Sequence, residues 1–589
     1  MSLAAKSVWA VALSACLAFT GAPALARQPG YQETAHGNKG MIAAVEPFAA
    51  EAGLEIFRQG GNAVDAAVAV AFALAVTHPQ AGNLGGGGFM LIHLADGTDV
   101  MVDFRETAPG AATADMYLGP DGKLAKGAST HGWRSAGVPG SVAGLTLALE
   151  KYGTLPLETV MAPAVRLARK GFPVSTRLAQ QLRENAPRLS RNAESRRIFL
   201  REGKYYEPGE KLVQKDLART LRRIAKKGPS EFYDGAVAAD FVRESQYSAG
   251  LITREDLRGY RAIIREPLRG SFRGHTILAP APPSSGGVAL LETLNMLEVL
   301  QGPKDAPAEV ETLHLLAEVS RRAFADRAQY LADTDFAEVP VAGLISKDYA
   351  AAVAAGVNRE KATASASLDS PDPRRFGASA ANVRHESDNT THLSVMDSAG
   401  NAVALTTTLN DSFGSGITIP GLGFLLNNVM DDFTTQPGVP NELFKLVQSD
   451  ANQIEPGKRP VSSMTPTIVL RDGQPVLSLG SPGGGRIITA VAQVVLNRLQ
   501  FGDDLALAIA RPRLHHQWLP DALYVEEDGF TDAQLDALRA RGHTVLSITE
   551  LVSSRPGTVG RVTAVERNPA TGELYGVADP RDGSVARGY

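Results

Sequence analysis

Residues 389–408 read Asn-Thr-Thr-His-Leu-Ser-Val-Met-Asp-Ser-Ala-Gly-Asn-Ala-Val-Ala-Leu-Thr-Thr-Thr. Two runs rich in β-branched and apolar residues, 390–395 and 402–408, flank the turn Ser398-Ala399-Gly400-Asn401, so the stretch predicts a β-hairpin. The chain before it is of another kind. Residues 361–389, KATASASLDSPDPRRFGASAANVRHESDN, are small, polar and Pro-containing, with no periodicity. The segment 358–389 is therefore expected to be exposed and mobile. A long tether that ends directly on a core strand is unusual in a compact domain and would suit a site of chain cleavage.

Cleavage between Asn389 and Thr390 would create specific chemistry. A threonine hydroxyl is a weak nucleophile unless a base lies beside it. A freed Thr390 would carry its own α-amine, whose reference pKa of about 7.7–8.0 lets it act as a base near neutral pH. Nucleophile and base would then be one residue. The spacing alone favours an ordinary Thr-Thr strand start, common in any β protein.

Working outward, strands at 467–470 and 476–479 lead into Ser481-Pro482-Gly483-Gly484-Gly485, and a helix is expected over 487–499. Glycine backbone at a helix N-terminus presents N–H groups that can hold an anion, as in an oxyanion hole; a plain strand–helix turn fits as well. Arg105, with Ser462 and Ser463, could clamp a carboxylate, because the guanidinium fork matches two oxygens. Asp432 and Asn410 could hold an ammonium. Each of these residues alone is ordinary; together they suggest a zwitterion site.

The N-terminal half supplies helices and further strands. Residues 62–76, NAVDAAVAVAFALAV, predict a helix capped by Asn62, halted before Pro79 and buried nearly all round. Short strands are expected at 41–45, 89–94 and 100–104. From 138 to 263 the pattern is mostly helical, with basic amphipathic faces at 159–170 and 217–227 turned to solvent. Helices are also expected at 49–57, 290–300 and 309–332.

The 589-residue chain is 44% hydrophobic and 21% charged, a globular composition with room for three or four domains or one large layered unit. A net charge of −4 gives no basis for nucleic acid as a partner. No G-x-S-x-G, H-E-x-x-H, Walker-type or dinucleotide-binding glycine pattern occurs, and neither a metal nor another cofactor is expected. The adjacent His515 and His516 would point to opposite sides of a strand, as surface or second-layer residues. Cys16 is the single cysteine. It lies in residues 1–26, where Lys6, the apolar run 8–19 and Ala24-Leu25-Ala26 fit a secretory signal cut after Ala26. Leu13-Ser14-Ala15-Cys16 also fits a lipoprotein box, with Cys16 as the minority anchoring option. The mature protein is expected to be exported, soluble and periplasmic.

The stretches GGNAVDAAVAV, THPQAGNLGGGGFMLI, VDFRE, VPGSVAG, NTTHLSV, TTTLNDSFGSGI, LLNNVMDDF, KRPVSSMTPTIV, GSPGGGRIIT and PRLHHQWLPD, in this order, strongly resemble the bacterial γ-glutamyltranspeptidases, or glutathione hydrolases, of the N-terminal-nucleophile superfamily. The resemblance implies an α+β fold, a four-layered αββα sandwich. It implies a precursor that cuts itself before Thr390 into a large fragment, 27–389, and a small one, 390–589, which stay together as a heterodimer. Thr390 would attack the γ-glutamyl carbonyl of glutathione or related compounds, and the acyl-enzyme would pass its glutamyl group to water or to an amino-acid or dipeptide acceptor.

Carried over by position, Gly483 and Gly484 are the oxyanion glycines and Thr408 supports the nucleophile. Arg105, Ser462 and Ser463 meet the α-carboxylate, and Asn410 and Asp432 the α-amine. Residues 437–451, with Phe444, form a lid. Val429 departs from the polar Gln or Glu often found there, so Asp432 and Asn410 must do more. Two alternatives are a glutaryl or cephalosporin-type acylase of the same fold, against which Asp432 argues, and an exported binding protein that never processes.

Overall fold

The computed structural model describes residues 32–300, 306, 309–377, 389–436, 438–552 and 557–589. The signal and lipoprotein readings, and tether residues 378–388, lie outside these. Two seven-stranded antiparallel sheets form the centre. The first has the order Val585–Gly588, Gly40–Ala44, Asn389–Asp397, Ala402–Asn410, Gly87–His93, Asp99–Asp103 and Ile263–Arg265. The second runs Thr34–Gly37, Leu574–Val577, Thr563–Arg567, Gln474–Gly480, Thr467–Arg471, His275–Ala279 and Leu268–Phe272.

Strand periodicity separates two cores. In the first sheet Ile42, Ala44, Leu393, Val395, Val403 and Leu405 pack with the helices on its outer face. Their neighbours Met41, Ala43, Met396, Ala402 and Ala404 face the second sheet. Because alternate side chains point to opposite faces, both faces must be apolar in the middle of a layered stack. Helices Ser285–Leu300, Val310–Tyr330 and Arg486–Leu499 contribute to the core of the second sheet. The result is the expected order of helix, sheet, sheet, helix.

The helix Ala63–Thr77 lies on the first sheet with every residue buried. Asn62 Oδ1 accepts the N–H groups of Val64 and Asp65, and Asp65 Oδ2 accepts that of Asn62. Such a capping box satisfies end groups that burial would otherwise leave unpaired. Asp397, the last residue of the strand that begins at Asn389, accepts the Ala63 N–H at 2.9 Å. Helix and hairpin are therefore fixed to each other. The expected hairpin forms, with Thr390 opposite Thr408 and Leu393 opposite Leu405.

One expectation needs correcting. The part of the tether that is described, 358–377, is well attached. Ser365 N–H donates to Asp521 and Ser365 Oγ to the Trp518 carbonyl, while Ala362 N–H donates to the Arg541 carbonyl. Arg321 donates to the Thr363 carbonyl, and Thr363 Oγ1 to Glu318. These partners are distant in sequence, so a local polarity reading misses them.

Candidate active site

Thr390 stands at the head of an inner strand of the first sheet, beside its middle strand Ala402–Asn410, and is buried. Its side chain belongs to the face turned toward the second sheet, as the alternation from Met396 back to His392 dictates. Its Oγ1 takes no hydrogen bond from the protein, and a buried hydroxyl without a partner in a native fold calls for a functional explanation. Opposite it, Thr408 Oγ1 accepts the Asn410 N–H at 2.8 Å, and the Thr408 carbonyl accepts Asn83 Nδ2 at 2.9 Å. Both flanks of Thr390's partner are thus fixed.

The glycine turn reaches the same end of the sandwich. Ser478 Oγ donates to the Val403 carbonyl, and Val403 pairs with Val395. Two residues on, Gly480 packs on His392 so closely that a Cβ there would lie 2.4 Å from the ring. As the chain runs from Ser478 to Gly480 it follows the first sheet from Val395 to His392, two residues from Thr390, and the glycine turn begins directly after it. Gly483 has φ +136° and Gly484 φ +59°, conformations that glycine adopts freely. The helix Arg486–Leu499 starts directly after them. His392 bridges Thr406 Oγ1 at 2.8 Å and Ser394 Oγ at 3.0 Å, and burial pushes its pKa down to about 3. It stays neutral between the sheets.

The charged part of the site is held by Arg105, which is fully buried. Its Nε donates to the Pro460 carbonyl and its terminal nitrogens to the Val461 carbonyl, Glu106 and Asp432. The sequence suggested that Arg105 and Asp432 read opposite ends of one molecule; here they also pair directly. Through Pro460 and Val461, Arg105 draws in Ser462 and Ser463, and Ser463 Oγ is buried without a hydrogen bond. Asp432 belongs to the turn Val429–Asp432. Asn410, in left-handed conformation at φ +82°, donates its Nδ2 to the Asn428 carbonyl just before that turn. The structure thus brings Arg105, Asp432, Ser462 and Ser463 together, and joins Asn410 to the Asp432 turn. Val429 is buried and directed at Gly137, where a Cβ would be 2.7 Å from its Cγ1.

Residues 438–451 fold over this group. The Asp432 carbonyl accepts Gln448 Nε2 at 3.2 Å and Asn452 Nδ2 at 2.7 Å. Asp431 accepts Ser129 Oγ and the Leu443 N–H, and burial raises its pKa to about 6. Burial likewise raises Glu106 to about 7, against the opposing effect of Arg105. Asn83, Ser129, Asn427, Asn428, Asp431 and Glu106 were not singled out from sequence. Their one signal is polar side chains set among glycines or apolar residues. His515 and His516 are both buried, so a surface position does not apply. Among the described residues no cluster of three or more potential metal ligands occurs, and no helix is long and apolar enough to cross a membrane.

The layered α+β sandwich, with a threonine at the head of a central strand, is the fold of the N-terminal-nucleophile hydrolases. The solved structure of cephalosporin acylase from Bacillus halodurans superposes with a TM-score of 0.82 at 26% identity, covering 97% of this chain and 99% of that one. Helicobacter pylori γ-glutamyltranspeptidase matches with a TM-score of 0.53 at 42% identity, over 55% of this chain and 93% of that chain. The glutathione hydrolase proenzyme of Escherichia coli (strain K12) is 46% identical over 544 residues, 92% of this chain and 90% of the relative. The γ-glutamyltranspeptidase family pattern matches residues 49–589. The chain belongs to the γ-glutamyltranspeptidase family, and it is an enzyme.

Proposed function

We propose that this exported, periplasmic enzyme removes the γ-glutamyl group of glutathione and related compounds and passes it to water or to the amine of an amino acid or dipeptide. The observation that carries the reading is the buried, unbonded hydroxyl of Thr390, on the strand whose His392 packs against Gly480 just ahead of the glycine turn. In the precursor that oxygen attacks the Asn389 carbonyl carbon, moving the acyl group from nitrogen to oxygen. Water then cleaves the ester, leaving a carboxylate on Asn389 and a free amine on Thr390. The two fragments remain together because each of the large sheets contains strands from both.

In turnover the α-amine of Thr390 takes the hydroxyl proton as Oγ1 attacks the γ-glutamyl carbonyl. The main-chain N–H groups of Gly483 and Gly484 face the oxyanion, and the amine returns the proton to the leaving nitrogen. Thr408 keeps Thr390 in place. A γ-glutamyl group carries both an α-carboxylate and an α-ammonium. Arg105, Ser462 and Ser463 take the first, and Asp432 with Asn410 the second, exchanging one buried ion pair for two. Such an exchange favours a zwitterion over a glutaryl group, which brings no positive charge.

Thr390→Ala tests the reading. It should give a folded, uncut and inactive chain, whereas the parent shows two fragments on a denaturing gel and releases amine from a γ-glutamyl anilide, faster with glycylglycine present. Normal fragments from the alanine variant would remove Thr390 as nucleophile. Faster release from a glutaryl anilide by the parent enzyme would move the reading to an acylase.

A further inference from the structure

The loop over Asp432 and the glycine turn are joined by a chain of buried hydrogen bonds. Gln517 Nε2 donates to the Phe444 carbonyl and to the Leu519 carbonyl, both at 3.2 Å. Its Oε1 lies 3.0 Å from His515 Nε2, and His515 Nδ1 lies 2.9 Å from Thr489 Oγ1. Thr489 sits in the first turn of the helix that opens directly after Gly485. All three side chains are buried.

The direction of the chain follows from its donors. Both Gln517 contacts to carbonyls need the amide NH₂ on that side, so Oε1 accepts and His515 Nε2 must carry the proton. Burial lowers the His515 pKa to about 3, so the ring is neutral and Nδ1 is an acceptor. The Thr489 hydroxyl then shares its one proton between Nδ1 and the Arg486 carbonyl, 3.1 Å away. Phe324 stacks edge-on against His515 with ring centroids 5.5 Å apart, and a Cβ at Gly485 would meet Phe324, Leu446 and Gln517 between 3.4 and 3.8 Å. Loop, imidazole and glycine turn are thus in contact through packing as well as through hydrogen bonds.

We propose that Gln517 is a positioning residue which, through His515 and Thr489, couples closure of loop 438–451 to the arrangement of the Gly483–Gly484 turn. The polar chain is neutral and buried, so moving the loop end leaves His515 short of a partner, and the Thr489 hydroxyl falls back on the Arg486 carbonyl in the first turn of the helix. Closure of the loop over a donor would steady the N–H groups that meet the oxyanion. The inference rests on the reading of that turn as the oxyanion site.

Two readouts test it. Lys445 is exposed within the loop, so the rate of tryptic cleavage after Lys445, followed by mass spectrometry, reports loop opening without reference to turnover. Gln517→Leu should raise that rate roughly two- to tenfold, the effect of one hydrogen bond. Thr489→Val, which conserves shape and lies outside the loop, should raise it as well, and the double variant should go little beyond the larger single change. With a γ-glutamyl anilide, both variants should raise KM and lower kcat together; a simple anchor for the loop would raise KM alone. If Gln517→Leu does not accumulate folded, Gln517→Glu keeps the acceptor for His515 while losing the donor to Phe444, and should open the loop equally. A Thr489→Val protein cut at the parental rate, or effects that multiply independently in the double variant, would overturn the coupling. If the parent itself turns over no γ-glutamyl donor, the catalytic reading fails while the proteolysis still decides whether the loop and the helix start move together.

Discussion

Two glycine runs flank the site, and they are glycine for different reasons. In Gly85-Gly86-Gly87-Gly88 the reason is space. A Cβ would lie 2.1 Å from the Leu425 carbonyl oxygen at Gly85, 2.0 Å from that of Thr408 at Gly86 and 2.3 Å from that of Thr406 at Gly88. At Gly87 it would meet Glu106 Oε2 at 2.5 Å. In Gly483-Gly484 the reason is conformation. Gly483 has its nearest neighbour at 3.2 Å, so a methyl group almost fits, but φ +136° is closed to other residues. The first run lets backbones meet beneath the threonine pair; the second forms a turn that glycine adopts freely, directly ahead of the helix Arg486–Leu499. A glycine-rich run in a sequence does not distinguish these uses.

Breaking the second run should cost activity more than stability. In Gly483→Ala the strained backbone must relax and turn its N–H away. We expect kcat to fall about 10²–10³-fold, as for loss of an oxyanion donor. Thermal stability should fall by only about 1–3 kcal/mol, the cost of one strained residue. Parental kcat in this variant would show that the turn does not meet the oxyanion.

Breaking the first run should do the reverse. Gly86→Ala must push the new methyl group into the Thr408 carbonyl and the Asn83 amide, both held by named hydrogen bonds. We expect a loss of about 3 kcal/mol, at the upper end of overpacking effects, seen as a lower Tm. Protein that survives should keep the donor KM. A Tm within a degree or two of the parent would show that this backbone can give way.

The smallest effect concerns Glu106, which the first run allows against Gly87. Burial raises its pKa from 4.5 to about 7, so the folded protein holds a proton that the unfolded chain has released between those values. The unfolded state then binds fewer protons, and stability falls as pH rises through this window. Glu106→Gln cannot titrate. The parent should therefore lose, relative to this variant, on the order of 2–3 kcal/mol between pH 4.5 and 7, read from paired melts. A stability difference that stays constant across that range would mean Glu106 ionises normally.

The elements themselves were readable because their signals are local. The hairpin follows from β-branched runs around Ser398–Asn401, and the buried helix Ala63–Thr77 from its composition and its Asn62 cap. The strand-to-glycine-to-helix passage at 474–499 is equally local. The described part of the tether misled because local polarity shows nothing of Asp521, Trp518 or Arg541. For His515 the surface and second-layer readings stayed open for the same reason, and only its contacts with Thr489 and Gln517 decide for a buried position.

For the site the division is similar. Thr390, Gly483, Gly484, Arg105 and Asp432 could be named from residue chemistry and from resemblance, since a nucleophile, a guanidinium and a carboxylate keep their character wherever they lie. Periodicity marked out strands and helices with faces to bury, and the family resemblance implied their four layers. Only the tertiary structure decided that Arg105 and Asp432 pair directly, that Gly480, ahead of the glycine turn, packs on His392, and that Asp431 secures the loop at Leu443. Those relations join residues up to several hundred positions apart. They depend on the register and stacking of two sheets, and no local pattern in the chain encodes the distance between them.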